Sequence, residues 1–340
     1  MEELNEILKD KSIADVASKL LISVSTIKRW IQLNKIPREY QFDLLKLNNK
    51  HVNYSEFSFK QKEQYFTTPE TVKYVTEKII EQLTKLNIDI NNYTLIEPSA
   101  GDGAFLDFFI ASNRNYIAMD IEPRRNDIQQ QDYLTWEPKD KLKKYIVIGN
   151  PPFGLRGNLS LRFIEHSFKF ADFVCFILPQ LFSSDGKGVP RKRINGNLIY
   201  TEKLNCNFLD PNGKQIKINT IFQVWSKNLI NEKLKKQRNV NKNIKIFSVS
   251  DGGTPGTTRN KKMIDKCDVF LPATLFDKKK FKPYNSFNEL PNKRGYGIVF
   301  LKNKDQNLSK FWGINWGDYV FLSTNSAVNI RSSIIYDLFE

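Results

Sequence analysis

Cysteine and histidine are scarce in this chain, with three and two among 340 residues. Cys175, Cys206 and Cys267 lie far apart and form no Cys-x-x-Cys pair, and only His51 and His166 accompany them. A structural zinc site is therefore not expected, and buried free thiols are. No apolar run reaches the length of a membrane span, and the N-terminus lacks the apolar core of a signal peptide. The expectation is an intracellular, cytoplasmic protein with no membrane partner. The full Gly-x-Gly-x-x-Gly fingerprint is missing, as is the lysine of a phosphate loop, which argues against a pyrophosphate cradle. No internal repeat is present. Acid is the minority charge: 37 Asp and Glu face 52 Lys and Arg, a net of +15. Such an excess favours a polyanionic partner, most simply nucleic acid. It is uneven, since Lys227 to Lys262 holds ten basic residues and two acids.

The length allows two or three domains. Residues 1–53 read as helical, with apolar residues at helical spacing and Ser25 as a helix start. Helix, short turn and helix there resemble a helix-turn-helix. Ser25, Thr26, Lys28 and Arg29 are its groove-facing candidates, while Val24, Ile27 and Ile31 pack inward. Residues 54–228 carry the pattern of an α/β domain. Thr68 and Pro69 are placed to start a helix that runs to Lys85. Strands are expected at Thr94–Glu97, Tyr116–Asp120, Tyr145–Gly149 and Phe173–Leu178. An antiparallel hairpin, Leu204–Leu209 with Asn219–Trp225, would turn at Asp210-Pro-Asn-Gly213 and close the sheet. Residues 229–340 read as a small α+β domain with Trp312 and Trp316 near its centre. Two basic stretches are candidates for phosphate contact: Lys187, Arg191, Lys192 and Arg193 in a polar loop, and Lys235, Lys236 and Arg238 at the domain junction.

The residues that end the strands carry the chemistry. Ligands of open α/β sheets bind in the crevice outside the carboxyl ends of the strands. After the first strand, Pro98-Ser-Ala-Gly-Asp-Gly-Ala104 is a Gly-rich turn into a helix, suited to close approach of a nucleoside. Asp120 ends the second strand about 20 residues on, where a carboxylate would hold ribose hydroxyls. Asp132-Tyr133 ends a third segment. Asn150-Pro151-Pro152-Phe153 ends the fourth strand. Its two prolines hold the chain extended, so the Asn150 side chain and the Pro151 carbonyl form two convergent acceptors beside an aromatic face. That arrangement suits the exocyclic amino group of a nucleobase.

Taken in order, Leu95-Ile-Glu-Pro-Ser-Ala-Gly-Asp-Gly-Ala-Phe-Leu106, Asp120, Asp132-Tyr133 and Asn-Pro-Pro-Phe resemble the S-adenosylmethionine-dependent adenine-N6 DNA methyltransferases. With Tyr65-Phe-Thr-Thr-Pro69 ahead of the Gly-rich turn and a basic domain last, the order resembles the gamma class, which includes solitary enzymes of phages and large DNA viruses. The resemblance covers Gln64 to Trp225, the C-terminal part loosely and residues 1–50 not at all. It implies a Rossmann-like methyltransferase sheet and S-adenosylmethionine as cofactor. Double-stranded DNA is the implied partner, and a separate restriction endonuclease is an allowed one. Thr67, Thr68 and Pro69 would border the methionine moiety, and Glu97, Ala100, Gly101 and Gly103 would surround it. Asp120 would bind the ribose, and Asp132 would accept from the cofactor's adenine with Tyr133 on its ring. Asn150 and Pro151 would hold the target amine, with Pro152 stiffening the turn. Phe153 would stack on the target base, with Phe208 as a second aromatic wall, although strand aromatics are more often core.

Adenine N6 is a weak nucleophile because its lone pair is conjugated with the ring. Two acceptors localise that lone pair, and no strong base is required. Cytosine-C5 chemistry would need a thiolate, in that family on a Pro-Cys step, and no cysteine here follows a proline. Two other readings stay open: an RNA methyltransferase acting on adenine or guanine amino groups, and a non-catalytic DNA-binding regulator on the same fold.

Overall fold

Seven strands form the central sheet: β1 (Thr94–Glu97), β2 (Tyr116–Asp120), β3 (Gln129–Gln130), β4 (Tyr145–Gly149), β5 (Phe173–Pro179), β6 (Asn197–Leu204) and β7 (Thr220–Ser226). Their order across the sheet is 3-2-1-4-5-7-6. The first five are parallel, and β7 runs antiparallel between β5 and β6. The order reverses between β1 and β4, so the crevice of a doubly wound sheet opens beyond Glu97 and Gly149. Strands β4 and β5, near the middle of the sheet, are continuous apolar runs, as burial on both faces requires. The protein is seen here as a computed structural model that describes residues 1–37, 40–50, 52–54, 57–154, 157–183, 190–231, 243–254, 256–322 and 327–339. Among them no helix is long and apolar enough to cross a membrane.

Helix Pro69–Lys85 begins as its sequence dictates, with Pro69 in the first turn and the Thr68 side chain accepting from the Thr71 amide. Its buried stripe, Val72, Val75, Ile79 and Leu83, joins Phe105 and Phe109 of helix Ala104–Ala111 and the strand residues in the main core. The expected hairpin exists, but as β6 with β7. The Asp210–Gly213 turn closes a smaller one inside it, Asn207–Leu209 with Gln215–Lys217, which pairs through Phe208 and Leu209 with Thr67 and Phe66. Asp210 makes that turn, its carboxylate accepting from Asn212 and Lys214 amides while Gly213 takes a φ of +80°.

The chain divides into two compact units, Met1–Pro179 with Arg193–Asn231 and Gln180–Lys192 with Glu232–Glu340. The N-terminal helices fall in the same compact unit as the sheet. They run Glu2–Asp10, Ile13–Lys19, Val24–Gln32 and Gln41–Leu47 around Leu4, Ile7, Val16, Leu20, Ile27, Trp30 and Leu44. The third helix is capped by Ser23 and not Ser25, and its inward residues are Ile27 and Trp30. Val24 and Ile31, expected inside, are exposed, because the buried stripe is centred between Ile27 and Trp30 and leaves both on its flank. Contacts among the described residues tie the bundle to the elements around the sheet. The Asn158 amide donates to Leu20 O at 2.7 Å, Arg162 pairs with Asp43 at 2.5 Å, Lys46 pairs with Asp132 at 2.6 Å, and Arg193 donates to Leu21 O.

The second unit contains two three-stranded antiparallel sheets, Ile244–Ser250, Arg294–Phe300 and Val269–Pro272 in one and Thr274–Leu275, Val328–Asn329 and Phe321–Leu322 in the other. Trp316 lies at the centre of its core, packed on Phe311, whereas Trp312 is exposed on helix Lys304–Gly313.

Candidate active site

The strand ends meet in one crevice of about 1220 Å³, its open mouth included. Glu97, Ala100, Gly101, Asp120, Asp132, Tyr133, Asn150, Pro152 and Thr67 all line it. Thr68 and Pro69 do not, being used to start their helix. Pro151, Phe153, Gly103 and Phe208 also stand outside its wall.

The Gly-rich turn is fixed by its neighbours. Gly101 and Gly103 have φ of +54° and +90°, a region open to glycine. The Gly101 amide donates to Asp120 Oδ2 at 2.8 Å, and the Glu122 amide to Oδ1 at 2.8 Å. Asp120 therefore ties the turn to the end of β2, and each oxygen keeps one acceptor direction for a ligand. Burial raises its pKa above the ordinary carboxylate value, against the pull of those amides. Burial likewise pushes Glu97 well up, and Asp120 and Asp102 add to it. Glu97 is 2% exposed and its Oε2 has no hydrogen-bond partner. Seven carboxylates, of Asp43, Glu63, Glu97, Asp102, Asp120, Glu122 and Asp132, line the pocket against three cations, Lys46, Lys62 and Arg124, in a strongly basic protein. Such a pocket repels phosphates and attracts a cationic ligand.

The tetrapeptide after β4 has one carbonyl to spare. Asn150 O accepts from Ser99 Oγ at 3.3 Å, Pro152 O from Ser160 Oγ at 3.1 Å, and Phe153 O from the Leu159 and Ser160 amides. No hydrogen bond reaches the Pro151 carbonyl among the described residues. The Asn150 Nδ2 donates to Tyr65 O at 3.3 Å, which fixes the amide's orientation. Its Oδ1 is left buried and without a partner. The loop itself is held by the Gly154 amide donating to Glu63 Oε2 at 2.5 Å.

Two expected aromatic walls are corrected. Phe208 is 1% exposed, locked in the core by its strand's pairing with Thr67, and cannot stack on a ligand. Tyr133 is 2% exposed; Phe163, Trp136 and His166 surround its ring, and its hydroxyl bonds to Ser167 Oγ at 2.6 Å. It anchors the wall and offers no open face. The accessible walls come instead from Phe66, Tyr65 and Phe42, with buried Phe105 and Phe163 behind them. Phe66 is signalled by its place in Tyr-Phe-Thr-Thr-Pro, and Arg124 lies 4.6 Å over its ring. Phe42, Lys46 and Tyr54 come from the N-terminal region, where no sequence motif marks them. Lys62 and Gln64, which hold Glu122 at 2.8 Å each, are equally unmarked.

Of the candidates for nucleic-acid contact, Ser25, Lys28 and Arg29 are exposed, and Thr26 is half-buried beside Ser23. Lys192 and Arg193 are exposed, and Arg191 is half-buried. Lys187, Lys235, Lys236 and Arg238 lie outside the described residues. His166 is structural, its Nε2 2.6 Å from Trp136 O. Among the described residues no cluster of His, Cys, Asp and Glu could hold a metal ion.

No family pattern matches the chain, and no curated protein matches it. Solved structures do. A candidate RNA methyltransferase from Pyrococcus horikoshii is 15% identical, with a TM-score of 0.37, over 49% of this chain and 88% of that one. A candidate class I S-adenosylmethionine-dependent methyltransferase from Listeria monocytogenes is 14% identical, with a TM-score of 0.34, over 70% and 91%. Magnesium protoporphyrin IX methyltransferase from Synechocystis, solved with S-adenosylmethionine bound, is 9% identical, with a TM-score of 0.31, over 46% and 79%. Scores of this size carry nothing about substrate or partner, and what the crevice can do follows from its own residues.

Proposed function

We propose that the protein is an S-adenosylmethionine-dependent transferase that methylates an exocyclic amino group of a nucleobase. More particularly, we propose that the acceptor is N6 of an adenine in double-stranded DNA. The observation that carries this reading is the pair of unsatisfied acceptors at one strand end, Asn150 Oδ1 and the Pro151 carbonyl. An orphaned buried acceptor costs about 1–3 kcal/mol. An incoming N–H donor recovers that cost, and an amino group has two.

The residues fit the cofactor by charge. Glu97, Asp120 and Asp132 would hold it, together with the Ala100–Gly101 turn and Thr67. When bound, it supplies an electrophilic methyl group on a sulfonium. Asn150 Oδ1 and Pro151 O accept the two amino protons, localise the nitrogen lone pair and stabilise the positive charge that nitrogen acquires on attack. The Tyr65 carbonyl keeps the Asn150 amide from turning its donor toward the substrate. Phe153 is half-buried beside these acceptors and supplies a stacking surface for a base extruded from the duplex, which costs a few kcal/mol to unstack.

The net charge of +15 supports a nucleic-acid substrate. The second unit supports it further: Phe276, 76% exposed, stands beside exposed Lys279, Lys280 and Lys282. The test is methyl transfer from labelled S-adenosylmethionine to genomic DNA and to total RNA, with mass spectrometry of the nucleosides. The expected product is N6-methyladenine in DNA, reduced at least about 100-fold by Asn150→Ala. Product in RNA alone would overturn the DNA assignment, and no product in either would overturn the transferase.

A further inference from the structure

The N-terminal helical region reaches into the crevice of the sheet. Helix Gln41–Leu47 and the segment after it place Phe42, Asp43, Lys46 and Tyr54 on its wall. These residues lie ahead of the stretch that carries the sequence resemblance. Lys46 Nζ sits 2.6 Å from Asp132 Oδ2, while Asp132 Oδ1 accepts from the Leu134 amide at 3.1 Å. The ammonium also lies 5.9 Å over the Tyr54 ring. Burial by itself would lower the Lys46 pKa, but the Asp132 carboxylate beside it raises it on balance, so the charge persists. The Tyr54 hydroxyl is buried and has no hydrogen-bond partner. Three buried side-chain atoms without partners thus line this one crevice: Tyr54 Oη, Glu97 Oε2 and Asn150 Oδ1.

A burial-penalised hydroxyl beside a paired cation and carboxylate is an incomplete polar network. A ligand that offers an acceptor and a donor side by side completes it. The Watson–Crick edge of adenine does so, with an acceptor at N1 and a donor at N6. Hypoxanthine reverses the order, with an acceptor at position 6 and a donor at N1. The carboxylate of Asp132 can accept one more proton while keeping Lys46 and Leu134.

We propose that Tyr54 and Lys46 complete the adenine subsite of the cofactor pocket, so that the N-terminal region recognises the cofactor's base together with Asp132. This rests on the adenosyl-cofactor reading above. Asp132 takes the N6 proton, and the Tyr54 hydroxyl, backed by the Lys46 ammonium, donates to N1. Phe42 closes the same end of the pocket. The bundle is then a wall of the cofactor site, whatever its outer face contacts.

Tyr54→Phe separates recognition from architecture. It removes a hydroxyl that, among the described residues, donates to no acceptor in the free protein and meets only the Lys46 ammonium, so the melting temperature without ligand should change little. Affinity for S-adenosylhomocysteine, measured by calorimetry on the full chain, should fall about tenfold, the worth of one buried hydrogen bond. The wild-type preference for S-adenosylhomocysteine over S-inosylhomocysteine should shrink by a similar factor, which a merely structural role would not produce. Lys46→Gln should also reduce that preference. Unchanged affinity and preference in Tyr54→Phe would overturn the inference alone. Failure of the wild type to bind S-adenosylhomocysteine would overturn the cofactor reading and the inference with it.

Discussion

Glu97 shows how one buried side chain couples the site to stability. Its carboxyl is buried at the end of β1 with an unpartnered oxygen, and desolvation, with Asp120 and Asp102 nearby, raises its pKa well above that of the unfolded chain. The folded state therefore binds this proton more tightly than the unfolded state does. The stability it contributes is fully present below the unfolded value of about 4.3 and is lost as pH rises toward the folded value. Glu97→Gln carries no such ionisation, so its stability advantage over wild type should grow with pH. Urea denaturation of ligand-free protein at pH 5, 6, 7 and 8 checks this, and a difference flat in pH would contradict it. The acid was legible in sequence as part of a Gly-rich turn after a strand. Its enclosure was not, because burial at that point depends on residues from β2, β4 and the segment around Phe66 that meet it only in the fold.

The elements around the crevice are set by short-range rules at their ends. Helix Ala104–Ala111 starts on Gly103, whose φ of +90° is a left-handed conformation costly to any residue with a Cβ. A Cβ there would also lie 2.5 Å from an Arg125 guanidinium nitrogen, displacing the side chain that pairs with Asp107 and Asp127. Gly103→Ala should cost about 1–3 kcal/mol by chemical denaturation. The cofactor should still bind, since Gly103 is not on the crevice wall. Loss of affinity without loss of stability would mean that Gly103 meets the ligand directly. Strands β1, β2, β4 and β5 were readable from their apolar runs and the helix Pro69–Lys85 from its cap. The hairpin was misread because a strong local turn at Asp210–Gly213 does not say which strands it joins. The β6–β7 pairing is decided by the apolar strand Thr220–Ser226, buried throughout between β5 and β6.

At the scale of the molecule, the N-terminal bundle and the sheet form one unit, joined in part by the Arg162–Asp43 pair with side chains 19% and 16% exposed. Removing one partner of so enclosed a pair leaves the other charge uncompensated, whereas removing both does not. The destabilisations caused by Asp43→Ala and by Arg162→Ala should sum to more than that of the double variant, by a coupling of about 1–3 kcal/mol. A double-mutant cycle on thermal or urea unfolding measures it, and strict additivity would show the pair to be idle. Because the same helix carries Lys46, both single variants should also weaken binding of S-adenosylhomocysteine. The second unit has its own core around Phe311 and Trp316 and is expected to unfold on its own terms.

The sequence by itself determined what depends on neighbours along the chain: the parallel strands, the helix caps, the glycines of the turn and the acceptors after β4. It also determined the excess of positive charge. Only the tertiary structure decided which aromatics face the crevice and which are core, since Phe208 and Phe66 sit on paired strands and differ in what packs over them. It alone placed Lys46 and Tyr54 beside Asp132, across more than 75 residues of chain. Spacing rules report periodicity within an element, whereas a pocket is built where elements distant in sequence are brought together by burial of their apolar faces.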